Sequence, residues 1–199
     1  MDIQSILLNP HFVRLRFILE RENVSLSEFE HDLQETLVPM LEEHKHDNAV
    51  LKEEAYHYIL PAIAVYRTLR RYSPDAAIDL FREMWFYGAE LGAEWLREKA
   101  EDSEFLNAWI MNVTPKNCDA GAFVFEIIRQ TQTETEYHVK SCPYVRLCAY
   151  YGCPEIVTVF CDCDDIAFGH IHPRLIWGRT ETIGRGDMVC SFKYTLLPE

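Results

Sequence analysis

The stretch from Ser73 to about Ala100 limits the fold more than any other part of the chain. Ser73-Pro74-Asp75 offers an N-cap, a proline at the first helical position and an early acidic residue. Behind it Ala77, Leu80, Phe81, Met84, Trp85, Gly88, Leu91, Gly92, Trp95 and Leu96 recur at three- and four-residue spacing. That period predicts one long amphipathic helix whose apolar face must be covered by other elements. Gly88 and Gly92 lie on the same face, where a missing side chain admits either close packing of a neighbour or a hollow for a ligand.

The segments around this helix are less regular. Residues 3 to 21 read as an irregular helix interrupted by Pro10. Ser27-Glu28-Phe29-Glu30 fits a capping box, opening a helix with Leu33, Leu37 and Leu41 on one face and with Pro39 expected to kink or end it. Ala49 to about Arg71 is a further helical stretch, divided at Pro61. After a short helical piece from Ser103 to about Asn112 and a break at Thr114-Pro115, the pattern changes to strands. Gly121 to Arg129 and Glu136 to Lys140 flank a polar loop and predict one hairpin; Leu175 to Thr182 and Met188 to Leu196 flank Gly184-Arg185-Gly186-Asp187 and predict a second. In the last strand Cys190, Phe192 and Tyr194 share one face. The expected fold is α+β: a helical N-terminal half, residues 1–117, packed against a small antiparallel sheet of two hairpins with an intervening helical segment, residues 118–199, together one compact domain.

A length of 199 residues with 48% hydrophobic and 13% aromatic side chains can bury a real core. The formal net charge of −13 excludes a nucleic-acid backbone or an anionic membrane as the main partner. No apolar run approaches the roughly 18 residues of a membrane span, and the N-terminus lacks a basic region followed by an apolar one. Seven cysteines without such a leader read as reduced thiols in a cytoplasmic protein.

Six of those seven cysteines fall between Cys142 and Cys190. Gly152 suits the end of a short helix over Pro143 to Tyr151, and Pro154 with Glu155 suits the start of another running to about Phe168. On that helix Ile156, Val159, Phe160, Cys163 and Ala167 form the apolar stripe, while Thr158, Cys161, Asp164 and Asp165 line an adjacent face; a strand over Ile156 to Phe160 is the competing assignment. The cysteines admit three uses. The spacing lacks the paired C-x2-C knuckles of structural zinc. A nucleophilic thiol needs a nearby base or cation, which adjacent aspartates do not supply. Buried cysteines also serve as small apolar residues, the use expected for Cys148 and Cys163. Glu155 doubles as a helix-dipole partner and Arg179 as a cross-strand ion-pair partner.

Gly152-Cys153-Pro154-Glu155-Ile156, Phe160-Cys161-Asp162, Arg179, Thr182-Ile183, Gly186 and Cys190-x-Phe192 together resemble the signature of the L-2-amino-thiazoline-4-carboxylic acid hydrolase family, from about residue 142 to 194. The final cysteine is followed by Ser191, where the pattern carries an acidic residue. The resemblance implies a hydrolase that acts on a C–N bond of a small cyclic amidine, opening a 2-aminothiazoline carboxylate towards a carbamoyl-cysteine. It makes Cys161 the candidate nucleophile with Cys190 as second choice, and Asp164, Asp165 or Glu155 the carboxylate that pairs with the amidinium or activates water. Arg179 would hold the substrate carboxylate and Thr182 would donate to the tetrahedral centre. No cofactor is called for, a divalent transition metal being the alternative; the partner is a small molecule, and a homo-oligomer is left open. The rival readings are a non-catalytic small-molecule or metal-binding domain and a related ring-forming enzyme.

Overall fold

The structure, a computed structural model, describes residues 8–114 and 121–198. Among the described residues the helices are α1 (Leu15–Arg21), α2 (Leu26–Glu43), α3 (Ala49–Glu54), α4 (Leu60–Tyr72), α5 (Ala77–Ala100), α6 (Ser103–Asn112), α7 (Pro143–Tyr150) and α8 (Val157–Phe168). The strands are β1 (Val124–Gln130), β2 (Glu134–Ser141), β3 (Leu175–Arg179) and β4 (Cys190–Leu196). The fold is α+β, with a helical N-terminal half and a C-terminal antiparallel sheet. The boundary expected between residues 117 and 118 lies outside the described residues, as do Pro115 and Cys118.

Several helix ends differ from the sequence expectation. The cap of α2 is Ser25, whose Oγ accepts from the Glu28 amide at 3.5 Å; the frame set on Ser27 is two residues late. The helix does not end at Pro39 but continues to Glu43, with Phe29, Leu33, Leu37 and Met40 buried along one side. Helix α5 begins at Ala77 behind a turn, so Ser73 is not its cap; the Ser73 carbonyl instead accepts from the Ala76 amide at 3.1 Å. The division at Pro61 takes the form of a π-helical turn, Ala55–Ile59, between α3 and α4. Pro61 has no N–H to give to the His57 carbonyl four residues back. Asn9 Nδ2 donates to that oxygen at 3.4 Å, and Asn9 Oδ1 accepts from the His11 amide at 3.0 Å. The proline thereby leaves an acceptor that fastens the N-terminal turn Pro10–Phe12 to the helical body.

Helix α5 carries that turn on one side and α8 on the other. At Gly88 an added Cβ would lie 2.5 Å from His11 Cα, so this glycine serves close packing. At Gly92 an added Cβ would meet nothing within 4 Å, so the hollow lies there.

The two expected hairpins join into one sheet of order β1-β2-β4-β3, all antiparallel. Thr135, Tyr137 and Val139 of β2 and Cys190, Phe192 and Tyr194 of β4 turn towards the protein, following the two-residue period of a strand. The intervening segment is helical, as preferred: a 3-10 turn over Pro154–Ile156 leads into α8. Two cores result. One joins α2, α4 and α5 to Ile156, Val157, Val159, Phe160 and Cys163; the other joins the inner face of the sheet to Leu106 and Ile110 of α6. No helix among the described residues is long and apolar enough to cross a membrane.

The two glycines of α5 separate in a stability measurement. Gly88→Ala costs about 1–3 kcal/mol through overpacking against the His11 backbone. Gly92→Ala gains up to about 1 kcal/mol from helix propensity. Urea unfolding of the two variants beside the wild type checks both signs; equal midpoints would contradict the packing described for Gly88.

Candidate functional site

Between the two cores lies a cavity of about 610 Å³, walled by α5, α8, the inner face of the sheet and the N-terminal turn. Its lining is mainly aromatic and aliphatic, interrupted by a polar group formed by Cys142, Cys161, Asp164, Arg179 and Cys190. Four of the seven residues expected to act, Cys161, Asp164, Arg179 and Cys190, thus come together on one wall.

The arrangement follows from the helix period. Cys161 and Asp164 are one turn apart on α8 and face the cavity, while Asp165 is turned further round and is about half exposed. Arg179, at the end of β3, has a side chain only 3% exposed. Its Nη1 donates to Asp164 Oδ2 at 2.6 Å, and its Nη2 donates to Asp165 Oδ2 at 2.9 Å and to the Cys161 carbonyl at 2.8 Å. Trp177 and Phe192 lie against the guanidinium, with ring centroids 5.7 and 5.6 Å away. Trp177 also donates its indole N–H to Asp165 Oδ1 at 3.1 Å. Burial opposes the charge on Arg179, but Asp164 and Asp165 outweigh it and raise its pKa.

Asp164 is enclosed by protein yet opens onto the cavity, which accounts for the 34% of its side-chain surface that stays accessible. Burial pushes its carboxyl from the ordinary 3.8 up to about 7, against the pull of Arg179 and with a further push from Asp165. The thiols beside it are held protonated. Burial, then Asp164, raises Cys161 to about 12, and burial raises Cys142 to about 12. Burial also raises Cys190, although its sulfur accepts from the Ile183 amide at 3.3 Å.

The loop after β3 closes over this wall. An added Cβ at Gly184 would lie 2.7 Å from Cys161 Sγ and 2.6 Å from Val157 Cγ1, so only glycine lets the loop seat there without displacing its neighbours. Arg185 pairs with Asp162 on the outer side of α8. Thr182 is buried at the start of the 3-10 turn Ile183–Arg185; its amide donates to Asp187 Oδ2 at 2.8 Å, and it does not line the cavity.

Glu155 is also away from the cavity: it accepts from the Tyr66 hydroxyl at 2.6 Å and from Arg70 at 3.4 Å, at the exposed edge of the helical core. Cys148 and Cys153 are fully buried in that core. Cys163 is buried as well, but it borders the cavity floor and donates to the Trp85 carbonyl at 3.9 Å. Among the described residues no group of three or more His, Cys, Asp or Glu side chains is placed to hold a metal ion.

The sequence did not single out His11, Glu54 or Trp95 as cavity residues. His11 stacks on Trp85 at 4.3 Å and 13°, and burial lowers its pKa. The Asn9-Pro10 pair, a side-chain cap followed by a proline, was the one local signal that this turn is ordered. Tyr58 and Trp85 line the cavity, whereas Tyr56 donates to the Leu41 carbonyl at 2.6 Å and Tyr87 lies beside Arg14 on the surface.

In comparisons with known proteins, the model of the L-2-amino-thiazoline-4-carboxylic acid hydrolase family matches residues 52–194. No curated protein and no solved structure matches the chain.

The raised carboxyl of Asp164 has a definite sign in stability. Its native pKa lies above the unfolded one, so its favourable contribution is fully present below about pH 4 and is lost as the pH rises through about 7. The stability of Asp164→Asn relative to the wild type therefore increases between about pH 5 and about pH 8. Urea midpoints at the two pH values measure this, and a constant difference would rule out a raised Asp164.

Proposed function

The chain belongs to the L-2-amino-thiazoline-4-carboxylic acid hydrolase family, and on that footing we propose that it hydrolyses a cyclic amidine of the 2-aminothiazoline type, with Asp164 as the general base. The observation that carries this reading is a cavity-facing carboxylate fixed by a buried arginine, beside thiols that burial keeps neutral. A base that titrates near neutral pH is well matched to moving a proton from water.

In the proposed reaction the amidinium lies against Asp164. Water attacks the amidine carbon and passes a proton to Asp164. Collapse of the tetrahedral centre breaks the ring carbon–sulfur bond, the departing sulfur takes the proton back from Asp164, and the hydroxyl proton leaves to solvent as the urea-type carbonyl forms. Breaking that carbon–sulfur bond gives the N-carbamoyl product, whereas breaking the ring C–N bond expected from the sequence gives the S-carbamoyl isomer. Arg179 positions Asp164 and balances its charge.

Water is preferred to Cys161 as the attacking group because a thiol raised to about 12 supplies very little thiolate at neutral pH. Cys161, Cys142 and Cys190 then shape the wall around the reacting atoms. Asp165 supports Arg179 from the outer side, and Glu155 and Thr182 have structural parts. A cytoplasmic setting, which keeps the thiols reduced, belongs to the same proposal.

The test is turnover of 2-aminothiazoline-4-carboxylate, followed by mass spectrometry for the gain of one water. Wild-type kcat/KM should rise with pH through an inflexion near 7, and Asp164→Asn should lose the inflexion and about 10²–10⁴ of the rate. Cys161→Ala should keep both the inflexion and most of the rate; a loss as large as that of Asp164→Asn would instead assign the attack to the thiol. An Asp164→Asn rate close to wild type would remove the general base. Binding without turnover in the wild type would leave a non-catalytic small-molecule domain.

A further inference from the structure

The size, lining and charge of the cavity narrow the substrate beyond the family name. We propose that its occupant joins a cationic amidine head at Asp164 to an apolar body of aromatic size, seated beside Gly92 and Trp95, and that a ring carboxylate is not what the site selects. This rests on the amidine-hydrolase reading above and specifies its substrate class.

The first observation is space. A 2-aminothiazoline carboxylate has about nine non-hydrogen atoms, whereas cavities of roughly 300–1,000 Å³ hold drug-sized ligands. This cavity measures about 610 Å³. Trp85 and Leu96 both line it and are eleven residues apart on α5, about 16 Å along the helix axis. A five-membered ring with one substituent is much shorter than that.

The second observation is what the surplus space is lined with. Beyond Gly88 the α5 wall continues through Ala89, Gly92, Trp95 and Leu96, and Phe123 also lines the cavity. Gly92 leaves its helix position open, with nothing within 4 Å of an added Cβ. Trp95 is 54% exposed although it borders a cavity, and among the described residues its one ring partner is Phe105, edge-on at 6.2 Å. Bare indole surface facing an open hollow suits an apolar group that stacks on it.

The third observation is charge. Three of the five N–H donors of Arg179 are already engaged by Asp164, Asp165 and the Cys161 carbonyl. With both carboxylates ionised this group carries one net negative charge, which an amidinium cancels. A substrate carboxylate brought to the same arginine would restore the negative charge, and Glu54 adds another carboxylate to the cavity lining. His11, stacked on Trp85, supplies no compensating cation when neutral.

Isothermal titration of the 199-residue chain with 2-amino-4-phenyl-2-thiazoline and with 2-amino-2-thiazoline-4-carboxylate tests the proposal. The phenyl probe should bind about tenfold more tightly or better, as burial of an aromatic ring implies. The ratio of the two affinities should fall towards one in Gly92→Leu, which fills the hollow, and in Trp95→Ala, which removes the stacking surface without touching a core. Equal binding, or tighter binding of the carboxylate probe, overturns this proposal and leaves the hydrolase reading in place. A preference that persists in both variants overturns the placement at Gly92 and Trp95. If neither probe binds, both readings fall together.

Discussion

The site depends on one desolvated guanidinium. Arg179 ends the edge strand β3 and reaches across to α8, where it meets two carboxylates and a backbone carbonyl while aromatic rings of β3 and β4 lie against it. Charge-assisted contacts of this kind are strong because water is kept away, and for the same reason no member of the group tolerates losing its partner. The arginine thereby fixes how the sheet sits on the helix. It also fixes the rotamer of Asp164, whose titration is set by the balance between burial and this neighbour.

Helix α8 is where the two halves of the fold meet. Its Val157, Val159, Phe160 and Cys163 belong to the helical core, while Phe168 packs with Trp109, Trp177 and Tyr194 in the core beneath the sheet. A hollow at the junction of two packed units is a usual place for a small-molecule site, because neither unit has to lose its own packing to make room. The thiols on this wall share the environment that raises Asp164, which explains why so many cysteines coexist there without an evident reactive one.

Much of this was legible in the chain, for identifiable reasons. The three- and four-residue repeat of α5 and the proline-started turn that leads into α8 are strong local patterns, and the two-residue alternation of Cys190, Phe192 and Tyr194 set the inner face of β4. Helix periodicity alone put Cys161 and Asp164 on one face. What failed was local competition between neighbouring caps: Ser25 and Ser27 are equally plausible in sequence, and only packing of Phe29 and Leu33 chooses between them. Glu155 and Thr182 sit inside the recognisable motif yet face away from the cavity, since a motif fixes a segment and not the direction of each side chain. His11 was out of reach because its place depends on a carbonyl freed by Pro61 and on a gap at Gly88, both distant in the chain.

The charged and apolar parts of the cavity are built on different elements. The ionic group stands on α8 and β3, whereas the bare wall around Gly92 and Trp95 belongs to the later turns of α5. Residues on those turns can change size without disturbing the contacts of Arg179, so under the proposed function a lineage carrying this fold can exchange one substrate body for another while the proposed proton chemistry is inherited intact. A shared family signature around α8 would then persist across members whose natural compounds differ widely in shape.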